Sequence, residues 1–127
     1  MHGVHCMSQV PQLFITPPRP RPGSKVAIVC PSAPGIALFP HRAERGMAYL
    51  RGLGLEPVLM PNASSVEGWV SGSPDARADD VHRAFLDPDV SVVLCAIGGN
   101  HAHQVVPYLD WALLRDHPKV FQGYSDM

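Results

Sequence analysis

Val90-Ser91-Val92-Val93-Leu94-Cys95-Ala96-Ile97-Gly98-Gly99-Asn100 decides the fold. Residues 90 to 97 form an apolar run of strand length rich in β-branched side chains, closed by two glycines, which predicts a parallel strand buried on both faces. Asn100 is placed to cap a following helix, which leaves the backbone amides of the glycine turn and the first helical turn facing the strand's carboxyl end. Such a turn can hold an oxyanion or a carboxylate. Lys119-Val120-Phe121-Gln122 reads as a second strand, with Gly123-Tyr124-Ser125-Asp126 as the tight turn at its carboxyl end. In open α/β sheets ligands bind along that edge.

Upstream, Ser24 to Cys30 is another nearly unbroken apolar run, a first buried parallel strand that ends at Pro31-Ser32-Ala33-Pro34-Gly35. Ser32 therefore falls on the same edge, either touching substrate or capping the next turn. His41 to Leu53 predicts the first helix, with Ala43, Met47, Leu50 and Leu53 as its core stripe and Gly54 as its stop. Glu56 to Met60 is a short strand that Pro57 assigns to the sheet edge. Pro61 to Gly72 reads as a surface loop anchored by Trp69 and Val70. Ser73-Pro74-Asp75 opens the next helix as N-cap, first helical residue and dipole partner. Ala78, Val81, Ala84 and Phe85 are expected to face inward, and Arg77, Asp79, Asp80 and Arg83 to form a solvated face. Val105, Val106, Tyr108, Leu109, Trp111, Leu113 and Leu114 are expected to pack, with Tyr108 and Trp111 in the core. Four strands alternating with helices give an α/β fold class: a mostly parallel sheet flanked by helices, flavodoxin- or Rossmann-like, with right-handed crossovers.

The chain has 127 residues, one-domain size, with 46% apolar and 17% charged residues, as in a globular protein. Ten basic against eleven acidic residues give a net charge of −1, so no field favours nucleic acid or an anionic membrane. No stretch approaches the roughly 20 apolar residues of a membrane span, and the amino terminus lacks a signal-peptide pattern; the expected location is cytoplasmic. Three cysteines, Cys6, Cys30 and Cys95, suit free thiols better than disulfides. Residues 1 to 23 read as a flexible, proline-rich lead-in and 24 to 127 as the domain, with Met1 or Met7 as the start. His2, His5 and Cys6 lie in a terminus that supplies no fixed metal geometry. His101 and His103, two apart on a helix, point in different directions and cannot share an ion. No metal or cofactor is expected.

Ser125 follows a strand as the nucleophile does at the elbow of α/β-hydrolases, although Gly-Tyr-Ser-Asp lacks that motif's trailing glycine. Taken together, Ile97-Gly98-Gly99-Asn100, Pro107-Tyr108-Leu109-Asp110, His117-Pro118-Lys119 and Gly123-Tyr124-Ser125-Asp126 resemble the amino-terminal domain of the LD-carboxypeptidase family. This serine peptidase family includes murein tetrapeptide carboxypeptidases and microcin C immunity peptidases. The resemblance extends upstream through Ser71-Gly72-Ser73-Pro74 and covers residues 14 to 127. It implies Ser125 as nucleophile and the Asp126 amide with the Gly98-Gly99 turn as oxyanion hole. Asn100 and His101 stand where many relatives carry an aromatic residue after the glycines; they are candidate substrate contacts, as is Ser32.

The family's triad also takes a glutamate and a histidine from a carboxyl-terminal domain absent from these residues. Glu44, Glu56 and Glu67 are badly placed to substitute, so the chain alone is expected to have little or no peptidase activity. The expected partner is a peptide or peptide-like small molecule, with homodimerisation through exposed apolar surface as a further expectation. A truncated, non-catalytic interaction module is the alternative. A nucleotide-binding domain built on Gly98-Gly99-Asn100 is weaker, since no Gly-x-Gly-x-x-Gly or lysine-bearing phosphate loop is present.

Overall fold

The computed structural model describes residues 14–127. His2, His5, Cys6 and both candidate starts lie outside them, as does the first half of the lead-in. The sheet begins with β1 (Lys25–Val29), followed by α1 (Gly35–Leu38), α2 (Pro40–Gly52), β2 (Glu56–Leu59), α3 (Pro74–Leu86) and β3 (Val90–Cys95). Two short 3-10 turns at Ala102–Gln104 and Val106–Tyr108 lead into α4 (Trp111–Asp116) and β4 (Val120–Gln122). All four strands run parallel in the order β2-β1-β3-β4, with Lys25 opposite Glu56, Val29 opposite Cys95 and Val92 opposite Val120.

That order is the flavodoxin-like one, and it has a topological switch point between β1 and β3. The chain leaves β1 towards one edge of the sheet and leaves β3 towards the other, so their two loops part and open a crevice at the carboxyl edge. Residues 30–34 and 96–101 line that crevice. Pro57 sits on the edge strand β2, where its missing N–H costs no central ladder bond.

The core lies on one face of the sheet. Ala27, Val29, Val90, Val93 and Cys95 pack against Val81, Ala84 and Phe85 of α3, with Leu109, Leu113, Leu114 and Met127 at the margin. α3 starts as expected, with Ser73 at the N-cap, Pro74 in the first turn and Asp75 beside it. The opposite face is covered more loosely: Val26, Ile28 and Val92 are buried there, but Leu94 is only half-buried. α2 contributes no buried residue; Ala43, Met47 and Leu50 are half-buried, and Leu53, expected in the core, is 56% exposed. A cavity of about 650 Å³ separates α2 from Ile28, Leu94 and Tyr124, so the predicted stripe faces the sheet without closing on it. The separate helix α1 was not legible, because Pro40 restarts the helix one residue after Phe39.

Three further expectations fail. Trp69 does not anchor the loop before α3, being 84% exposed; Ala63, Ser71 and Gly72 are its buried residues. Tyr108, ending the second 3-10 turn, and Trp111, opening α4, are also exposed; the residues buried in this stretch are Ala102 and Val105. The charge run of α3 is not a uniformly solvated face: Arg83 pairs with Asp79 in solvent, but Arg77 and Asp80 are each 2% exposed.

Candidate active site

Three loops meet at the carboxyl edge: those after β1, β3 and β4. Ser125, after β4, has φ 64°, and among the described residues it is the sole non-glycine with positive φ. A left-handed serine costs roughly 1–2 kcal/mol, and such strain gathers at functional turns. The side chain is exposed and lies over the glycine turn. A Cβ built on Gly98 would come within 2.7 Å of Ser125 Cβ and 2.9 Å of its Oγ. One built on Gly99 would strike Ser32 Oγ and come within 2.9 Å of the Ala33 amide nitrogen. Both glycines are thus demanded by close approach of the neighbouring loops.

Among the described residues, the amides of Gly98, Gly99, Asn100 and Asp126 donate to no protein acceptor. Free amides beside an exposed, strained hydroxyl form a setting in which a carbonyl oxygen can gain negative charge while its carbon is attacked. Asn100 is exposed and does not cap a helix; His101 occupies the position before the first 3-10 turn, two residues after the glycines. The helix-starting amides that Asn100 was expected to serve are taken elsewhere. His101 N donates to Ser32 Oγ (3.0 Å) and Ala102 N to Asp126 Oδ2 (2.9 Å).

Ser32 neither lies open to a substrate nor caps α1, whose N-cap is Pro34. It is 0% exposed, and its hydroxyl donates to Asp126 Oδ2 at 2.7 Å. The Ala102 amide foremost, then the Ser32 hydroxyl, hold the Asp126 carboxyl below the usual carboxylate range. Behind them Arg77 donates to the carbonyls of Pro31 (2.6 Å), His101 (3.2 Å) and Gly72 (3.0 Å) and to Gln104 Oε1 (2.8 Å). Asp80 accepts from the Asn62 amide and side chain, although burial still pushes its carboxyl up. Ser71 Oγ in turn fastens the Asn62 loop.

Arg77, Asp80 and Asn62 escaped the sequence reading, yet a signal for the first existed. Arg77 stands at i, i+4, i+7 and i+8 with Val81, Ala84 and Phe85, in the middle of the inward arc. On that arc helical position outweighs charge type. Among the described residues, no histidine hydrogen-bonds Ser125, and no cluster of three or more His, Cys, Asp or Glu could hold a metal.

Comparison with known proteins bears on the family and the fold. Residues 26–127 match the family described as LD-carboxypeptidase N-terminal domain. The chain belongs to this family. A Bacillus subtilis protein named "Probable murein peptide carboxypeptidase" is 34% identical over 105 residues, 83% of this chain and 32% of its own length. The microcin C7 self-immunity protein MccF of Escherichia coli is 27% identical over 104 residues, 82% of this chain and 30% of its own. In complex with aspartyl sulfamoyl adenosine, MccF shares the fold at a TM-score of 0.84, with 24% identity over 88% of this chain and 33% of that one. An MccF-like protein from Bacillus anthracis gives a TM-score of 0.81 and 30% identity, over 88% of this chain and 34% of that one. The chain therefore spans about a third of the length of the curated relatives it matches.

Proposed function

We propose that this chain, with residues 24–127 as its domain, is the nucleophile-bearing part of a serine LD-carboxypeptidase-type hydrolase. The observation that carries the reading is the left-handed Ser125 over the glycine turn, among free amides. Ser125 Oγ adds to the carbonyl carbon of a peptide, and the amides of Gly98, Gly99 and Asp126 take the oxyanion's charge. The C–N bond then breaks, the amine leaves with the serine's proton, and water hydrolyses the acyl ester to restore Ser125. Asn100 and His101, at the mouth of the crevice, contact the substrate. The proton is carried by a base outside the described residues, in the role that the resemblance gives to a histidine held by a glutamate. These 127 residues alone are accordingly proposed to hydrolyse little or nothing. Hydrolysis of an LD-tetrapeptide by them, lost in Ser125→Ala, would overturn that.

The substrate class is a murein tetrapeptide or a related peptide–nucleotide, in keeping with the names of the relatives. Side-by-side turnover of an LD-tetrapeptide and an aminoacyl sulfamoyl adenosine by the native protein separates the two. The free thiols Cys30 and Cys95, both buried, suit a reducing compartment, and the cytoplasm is the location proposed. Among the described residues no helix is long and apolar enough to cross a membrane.

A second reading, a non-catalytic interaction module, is favoured by the open cavity under α2 and by exposed Phe39, Tyr49 and Tyr124 around it. Light scattering of the isolated chain tests that surface. Dimers or larger species are expected, and a monodisperse monomer with a cooperative melt would count against association.

A further inference from the structure

We propose that Arg77, Ser32 and the Asp126 carboxylate form a latch that positions the Ser125 turn; the proposal rests on the reading of Ser125 as nucleophile. A left-handed serine persists only where its surroundings over-determine it, and the neighbouring Asp126 side chain supplies that constraint. Its Oδ2 accepts from two loops at once: Ser32 Oγ after β1 (2.7 Å) and Ala102 N after β3 (2.9 Å). Ser32 Oγ accepts from His101 N (3.0 Å), which joins those two loops to each other.

Arg77 sets the spacing. Its Nη1 donates to the carbonyls of Pro31 and His101, the residues immediately before Ser32 and Ala102. The guanidinium is itself locked through Nε to Gly72 O and Nη2 to Gln104 Oε1, and its planar fork allows no rotation within that set. The two donors to Asp126 are therefore held at a fixed separation, and the Asp126 carboxylate closes against them. Because Asp126 is also the residue whose amide faces the oxyanion, the latch orients the attacking hydroxyl and one of its stabilising donors together. Ser32, Arg77 and the Asp126 carboxylate are positioning groups and touch no substrate.

Ser32→Ala in the native protein tests this, because it removes the bridging hydroxyl while a methyl group still fills the buried slot. The latch predicts that kcat on an LD-tetrapeptide falls roughly 10- to 100-fold, as for a misplacement of about 1 Å. KM should stay within about two-fold, and the variant should remain folded although the loss of two hydrogen bonds lowers its melting temperature. Amide hydrogen exchange at Ala102 should quicken about ten-fold as Asp126 loosens. Asp126→Asn, which keeps an acceptor oxygen, should retain more kcat than Asp126→Ala. A wild-type kcat in Ser32→Ala, in a protein that Ser125→Ala inactivates, overturns the latch and leaves the nucleophile standing. If the native protein hydrolyses nothing, the nucleophile reading fails, and exchange decides the latch: unchanged Ala102 exchange in Ser32→Ala overturns it, and faster exchange supports it.

Discussion

Replacing Arg77 by methionine removes the cation that ties the carboxyl-edge loops together while keeping most of its volume and helix propensity. Four acceptors lose their donor: the carbonyls of Pro31, Gly72 and His101, and Gln104 Oε1. A buried acceptor left unpaired costs about 1–3 kcal/mol, but these share one donor and relax together, so their costs do not simply add. Hydrogen bonds to a charged group contribute about 1.5–3 kcal/mol each, and with that shared relaxation a loss of about 3 kcal/mol in all is expected here. In a domain of this size that lowers the melting temperature by about 12 °C or more. Arg83, six residues along the same helix, supplies the control. Its bond to Asp79 lies in solvent, and Arg83→Met should leave the melt unchanged within error. Urea denaturation of wild type and both variants, compared at constant m-value, is the assay. If Arg77→Met and Arg83→Met prove equally mild, Arg77 belongs to a solvated face after all and the account of the loop network is wrong.

Gly98→Ala should place a methyl group against Ser125 and the Tyr124 carbonyl, costing about 1–3 kcal/mol of stability; a variant that melts with wild type would show that the turn has room. Ser125→Gly should raise stability by roughly 1 kcal/mol by relieving the left-handed strain while abolishing hydrolysis, and a lowered melting temperature would contradict the strain assignment. The Asp126 carboxyl has a folded-state pKa below its unfolded value, so its contribution is complete above the usual carboxylate range of about 4 and is lost as pH falls through the folded value. Melting curves between neutral pH and about pH 3 should therefore fall less steeply in Asp126→Asn, and parallel profiles would remove Asp126 from the acid-sensitive set.

The sheet was legible because its strands are buried on both faces: residues 24–30 and 90–97 advertise themselves as apolar runs closed by turn residues. Pro57 marked the edge strand, and Ser73-Pro74-Asp75 marked the start of α3, since caps and proline act locally. What escaped depends on contacts between residues far apart in sequence. Ser32 and Asp126 are 94 positions apart and meet only because β1, β3 and β4 deliver their loops to one edge. Arg77 and Asp80 were assigned to solvent by charge, whereas carbonyls and an asparagine from three loops make their burial tolerable. Trp69, Tyr108 and Trp111 depart in the other direction: in a loop, at the end of a 3-10 turn and at the first residue of α4, these large aromatic side chains have no second layer to enter.

The most direct test of the central claim compares LD-tetrapeptide hydrolysis by the native protein and its Ser125→Ala variant, with circular dichroism to show that both are folded. The native protein should turn the peptide over, and kcat should fall at least about 1,000-fold in the variant, as for removal of a serine nucleophile. A folded Ser125→Ala protein that turns over peptide at the native rate would contradict it.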